Sequence, residues 1–125
     1  NFYLRDILNA INKIKRYIKN ININRLAENE LIFDAVLRNL QIIGEASKNI
    51  PLEIKDKYKE VDWRKISGLR DILAHAYFGV DEEIVLDVIE DKLPILEKQI
   101  KEILNKKKVK KIIKKKKRWK WKMKN

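Results

Sequence analysis

Cysteine is absent from this 125-residue chain, glycine occurs only three times and proline twice. Without cysteine there are no disulfide staples, no thiolate metal sites and no thiol nucleophile, a composition that fits a reducing cytosol. So few glycines and prolines leave little material for tight turns, which favours long helices over many short strands. No apolar run approaches the roughly 18 residues of a membrane span. No signal-peptide pattern opens the chain, so the expectation is a cytoplasmic protein with no membrane contact.

Acidic residues are missing from one region only. Residues 105–125 hold 13 lysines and arginines and no aspartate or glutamate. Residues 1–104 hold 17 cations against 18 acids and are nearly neutral. The net charge of +12 therefore describes a tail and does not by itself make the remainder a nucleic-acid-binding fold. The expected organisation is one helical domain over 1–104 and a lysine-rich tail over 105–125. Runs of like charge repel one another, so the tail is expected to be disordered. Two readings of it stand side by side. It binds RNA or another anionic surface, with Trp119 and Trp121 stacking on bases or inserting among headgroups, or it is a solvated appendage without a selected role.

Elsewhere the apolar residues recur at helical spacing. Leu4, Ile7, Leu8, Ile11, Ile14, Ile18 and Ile21 predict a first helix. Ile32, Val36, Leu40, Ile43, Ala46 and Ile50 predict a second, from about Glu30 to Asn49, stopped by Pro51. Residues 52–61 read as a loop with one short helical turn. Asp62 is placed to cap a third helix from Trp63 to about Tyr77, and Gly79 stands where a left-handed C-terminal residue is expected. Asp81 is placed to cap a fourth helix with the stripe Val85, Val88, Ile89, Leu93, Leu96, Ile100 and Ile103. Pro94 lies inside that stripe and predicts a kink or split near Asp91 to Leu93. The fold class is thus all-α, an up-and-down bundle of four to five helices.

The chain's single histidine, His75, is its natural proton carrier near neutral pH. On a regular helix Ile66, Leu69, Ile72, Leu73 and Ala76 share the core face. Arg70 and Tyr77, seven residues apart, lie on one flank. His75 lies about 140° from Arg70 on the other. Asp71, four residues before His75, is placed to hold the imidazole or raise its pKa. A regular helix therefore does not join Arg70 to His75. Either the arginine reaches around, or the helix ends near His75, or a second copy of the chain completes the site. An arginine and a histidine without a carboxylate cluster for a divalent cation suit RNA cleavage that needs no metal or other cofactor. The 2′-hydroxyl is the nucleophile, His75 moves protons and Arg70 holds the phosphate. Ion pairing of Arg70 with Asp71 or Glu45, and a packing role for the Tyr77 ring, are the purely structural alternatives.

Arg70-x4-His75-x-Tyr77 resembles the signature of the HepT family, HEPN-domain ribonuclease toxins encoded with a minimal, MntA-like nucleotidyltransferase antitoxin. Tyr3-Leu4-Arg5-Asp6-Ile7-Leu8, Arg38-Asn39-Leu40, Ile43-Gly44-Glu45-Ala46, the run from Trp63 to Asp71 and Tyr77-Phe78-Gly79-Val80-Asp81 extend the likeness over residues 2–104. The resemblance implies a HEPN-like bundle and a cytoplasmic toxin that cleaves RNA, with Arg70 and His75 catalytic and Asp71 supporting. It implies an antitoxin partner and Tyr77 as the hydroxyl that receives AMP, while completion of the site by a second copy predicts a homodimer. Arg38 and Asn39 are read as groups supporting the site or lining a dimer cleft, with buried structural hydrogen bonding as the alternative. A non-catalytic helical module that docks the nucleotidyltransferase, or binds RNA or nucleotide, is the competing function.

Overall fold

A computed structural model describes residues 2–69, 71 and 82–124, the side chains of 108, 109, 111, 120, 121 and 124 excepted. Among the described residues there is no strand, and six α-helices form an all-α bundle. In α1 (Phe2–Ile18) the residues Leu4, Ile7, Ile11 and Ile14 are fully buried, one face of a regular helix. Lys15 and Arg16 occupy its last turn, where the dipole favours cations. The polar connection that follows is not plain loop. Asn22 accepts a hydrogen bond from the Asn24 amide at 3.1 Å and caps a 3₁₀ segment, Ile23–Glu28, which buried Leu26 pins against the core.

Helix α2 (Glu30–Lys48) opens with the Asn29 side chain accepting from the Ile32 amide at 3.2 Å. Its stripe Val36, Leu40, Ile43 and Ala46 is buried, and Pro51 follows its end. The expected short turn after it is α3 (Leu52–Lys57). Next, α4 (Trp63–Ser67) starts at Asp62, whose carboxylate accepts from the Lys65 amide at 3.2 Å. Removing that cap with Asp62→Ala is expected to cost about 1 kcal/mol in a urea titration. An unchanged midpoint would mean that the capping bond does not hold α4.

The fourth predicted helix is α5 (Glu82–Asp87), a π-helical turn (Val88–Lys92) and α6 (Leu93–Lys124) in unbroken succession. Pro94 explains the turn. It has no N–H to donate, and its ring clashes with the carbonyl four residues back, so the ladder shifts. The Leu93 amide bonds the Val88 carbonyl, five residues back instead of four. The predicted disturbance thus falls beside the proline. Val85, Val88, Ile89, Leu93, Leu96, Ile100 and Ile103 are all buried. Helix α1 packs against α2 and α6, and α2 against α4. Lys15 on α1 meets Glu97 on α6 at 3.2 Å.

The tail departs from expectation. Instead of lacking ordered structure, it continues α6 as helix through Lys124. Burial cannot account for this, since Ile112, Ile113, Trp119 and Met123 are all exposed. Local propensity can. Lysine is close to the best helix formers, the segment contains no Gly or Pro, and an isolated helix lets ammonium groups spread radially into water. No described helix is long and apolar enough to cross a membrane.

Candidate active site

The approach to the predicted site is built by α4. Trp63 is buried and its indole N–H donates to the Tyr58 carbonyl at 3.0 Å, which fixes the start of the helix. One turn later the Ser67 hydroxyl donates to the Trp63 carbonyl at 2.9 Å. Ser47 of α2, completely buried, stands 3.3 Å from the Ser67 hydroxyl and donates to the same carbonyl at 3.4 Å. Two hydroxyls sharing one buried carbonyl clamp α4 to α2, and an apolar replacement would leave that carbonyl with less than its full set of donors.

The third helix does not run on from Trp63 without interruption. It halts at Gly68 (φ −72°, ψ −4°), whose amide reaches back to the Arg64 carbonyl at 3.1 Å. The Asp71 amide then bonds the Gly68 carbonyl at 3.0 Å and begins a new turn. A Cβ at Gly68 would stand 3.2 Å from the Lys65 carbonyl oxygen, so even an alanine forces a small adjustment there. Leu69 is buried and Asp71 exposed on either side of position 70. The chain is therefore anchored to the core immediately before the predicted catalytic arginine.

Arg70, His75 and Tyr77 lie outside the described residues, as do Ile72, Leu73, Ala76, Gly79 and Asp81. Three supporting positions are described. Asp71 is exposed and forms no ion pair among the described residues. Arg38, on α2, is also exposed, its guanidinium available to an anion. Its neighbour Asn39 turns inward and is buried. The Asn39 amide donates to the Ala35 carbonyl at 2.9 Å, while its Oδ1 has no donor among the described residues. A buried acceptor without a partner costs roughly 1–3 kcal/mol, so Asn39 is a poor choice for stability alone. The structure thus separates two residues that the sequence places side by side.

Beside α4 an apolar groove of about 400 Å³ opens toward α5 and α6, lined by Ile66, Leu69, Ile84, Val88 and Leu96. Its rim carries Glu60, Asp62 and Asp87 against Lys65 and Lys92. Three acids against two bases make a poor phosphate seat. Among the described residues no group of three or more His, Cys, Asp or Glu side chains could hold a metal ion. The Ser47–Ser67 pair escaped sequence reasoning, although Ser47 sits four residues after Ile43 on α2's apolar stripe. A hydroxyl in that register is the signal of a buried hydrogen bond.

Comparison with known proteins places these observations. The family model described as Ribonuclease HepT-like matches residues 7–103. Arg38, Asn39, Arg70, Asp71, His75 and Tyr77 all fall inside the match, and the basic extension falls outside it. The chain is 42% identical over 106 residues to the protein named "Putative RNase TTE0752" from Caldanaerobacter subterraneus subsp. tengcongensis, covering 85% of this chain and 95% of that one. It is 40% identical over 94 residues to "Probable ribonuclease HepT" from Thermococcus cleftensis, covering 75% and 86% respectively. It is 37% identical over 98 residues to "Putative RNase MJ1380" from Methanocaldococcus jannaschii, covering 78% and 90%. No solved structure matches.

Proposed function

The chain belongs to the HepT-like ribonuclease family, and from that premise we propose that it is an endoribonuclease toxin that cleaves RNA without a metal ion. The observation that carries the reading is the position of the family match, which encloses the whole Arg70-x4-His75-x-Tyr77 constellation. The chemistry follows from the residue types. The 2′-oxygen of RNA attacks the neighbouring phosphorus while the bond to the 5′-oxygen breaks. His75 takes the hydroxyl proton or supplies one to the departing oxygen. The Arg70 fork bonds the phosphate oxygens and stabilises the charge that accumulates on them. In a homodimer two His75 imidazoles serve one cleft, and each takes one of these roles.

Tyr77 is the regulatory hydroxyl in this reading. A nucleotidyltransferase antitoxin transfers AMP from ATP to this hydroxyl, the phenol losing its proton and pyrophosphate leaving, and so places phosphate and adenine where the RNA phosphate would bind. Mass spectrometry of the chain co-expressed with such an enzyme should find the adduct on Tyr77, and a Tyr77→Phe chain should stay toxic. Unmodified Tyr77 in a silenced complex would leave inhibition to binding alone.

Purified chain is expected to fragment RNA equally with and without EDTA and to leave DNA of the same sequence intact, because DNA lacks the internal nucleophile. Cleavage that stops with EDTA and returns with added Mg²⁺ would overturn the metal-free reading. Asn39→Ala supplies a further check. Its unpaired Oδ1 predicts a stability loss below about 1 kcal/mol together with at least a roughly tenfold slower cleavage. A large loss of stability with unchanged cleavage would make Asn39 a structural residue only.

A further inference from the structure

Outside the predicted catalytic segment, two lysines stand over one aromatic ring and a third lines the same hollow. Lys57 is the last residue of α3, and Lys106 and Lys110 are one helical turn apart on α6, so they share a face. The Lys57 ammonium lies 5.7 Å from the centre of the Tyr58 ring and that of Lys106 lies 5.5 Å from it. Together with Asn105 and Glu60 these residues line an open concavity of about 610 Å³. Glu60 is the one acid in that described lining. None of the three lysines forms an ion pair among the described residues, whereas Lys15, Lys65 and Lys101 each have a carboxylate partner. The Lys57 amine beside it holds the pKa of the Lys110 amine below its ordinary value. Gathering like charges without a counter-ion works against the compact state. The arrangement is explained if the missing counter-ion is a ligand.

We propose that Lys57, Lys106, Lys110 and Tyr58, none of them part of the predicted catalytic set, form a docking site for the phosphate backbone of RNA. The site is the inner end of a longer track. From residue 105 to 124 the helix continues for about 30 Å at 1.5 Å per residue, and the 13 cations of 105–125 meet no acid of their own segment. A single bound phosphate would need only a few of them; a polyanion uses the length. Exposed Trp119, far along the track, offers a face on which a base can stack. Attraction to the Tyr58 ring holds the Lys57 and Lys106 ammonium groups in place before the ligand arrives. Lys106 and Lys110 lie beyond residues 7–103 while Lys57 and Tyr58 lie within them, so the site joins this chain's extension to the family fold. RNA as the polyanion rests on the ribonuclease reading above; the phosphate chemistry does not.

The test measures binding and cleavage separately on the same samples. A fluorescent single-stranded oligouridylate is titrated with full-length protein by anisotropy over a range of salt. Each phosphate contact contributes about 0.7 to the slope of log affinity against log salt. The Lys57→Gln/Lys106→Gln/Lys110→Gln variant should lower that slope by about 2 and weaken binding roughly hundredfold near about 0.1 M salt. Arginine at all three positions should restore both, since the charge is kept. A control with Lys13→Gln, Lys19→Gln and Lys98→Gln removes the same charge elsewhere and should move affinity less than about threefold. An oligodeoxythymidylate should show the same lysine dependence, because the site reads phosphate. An unchanged slope in the first variant, or an equal loss in the control, overturns the proposal. So does co-sedimentation with phosphatidylserine vesicles by a chain whose RNA binding ignores the three lysines. Binding without any cleavage would instead sink the ribonuclease reading and leave the docking site standing.

Discussion

Alanine at position 75 is expected to slow RNA cleavage roughly 10²–10⁴-fold, the usual worth of a positioned proton carrier. The chain contains no other histidine to stand in for it. Lysine and arginine hold their protons too tightly near neutral pH, and a carboxylate loses its proton too readily, to replace an imidazole on both sides of proton transfer. Arg70→Lys provides the companion measurement. It keeps the charge but loses the planar fork, so it should cleave more slowly than the native chain while still binding RNA. Equal cleavage by the His75→Ala chain would remove His75 from the mechanism whatever the family match implies.

The second large effect concerns the core. Ile100 is fully buried in α6, against which α1 packs, and Ile100→Ala should cost about 2–5 kcal/mol through lost burial and the cavity left behind. A domain of this size has roughly 5–15 kcal/mol to lose, so the denaturation midpoint should fall steeply. Ile113, thirteen residues on in the same helix, is 47% exposed. Its replacement by alanine should stay within about 0.5 kcal/mol. The pair locates where α6 stops being a wall of the bundle and becomes a solvated extension. Equal costs at both positions would mean that the extension packs on something.

Much of the fold is legible in the sequence because burial imposes a period that apolar residues must follow. The stripes from Leu4 to Ile14, from Val36 to Ala46 and from Val85 to Ile103 are buried as their spacing predicts. Asp62 caps α4, and the proline in the last stripe marks a disturbed ladder. What escaped depends on contacts between elements or on a balance of local terms. Ser47 and Ser67 are twenty residues apart and share a carbonyl only once α2 and α4 are packed. Gly68 closes α4 through its backbone and stands tight against the Lys65 carbonyl, a fit that shows only in the folded turn. In the extension the helix propensity of lysine outweighs the repulsion between like charges.

The site divides differently. Arg70, His75 and Tyr77 are singled out by residue chemistry and by likeness to a family, and they lie outside the described residues. Arg38 and Asn39 read alike as polar positions at the edge of a stripe. Only the packed helix shows that one faces solvent and the other carries a buried acceptor. The convergence of Lys57 with Lys106 was invisible in a one-dimensional pattern, because it requires α6 to continue as helix past the bundle.

The chemistry assigned to Arg70 and His75 leaves a signature on the RNA itself. If the 2′-oxygen is the nucleophile, each cut must end in a 2′,3′-cyclic phosphate on one side and a 5′-hydroxyl on the other. Mass analysis of the ends produced by the purified chain reads this directly. Cyclic phosphate and 5′-hydroxyl ends, absent with the His75→Ala chain, are the predicted result; 5′-phosphate and 3′-hydroxyl ends would contradict it.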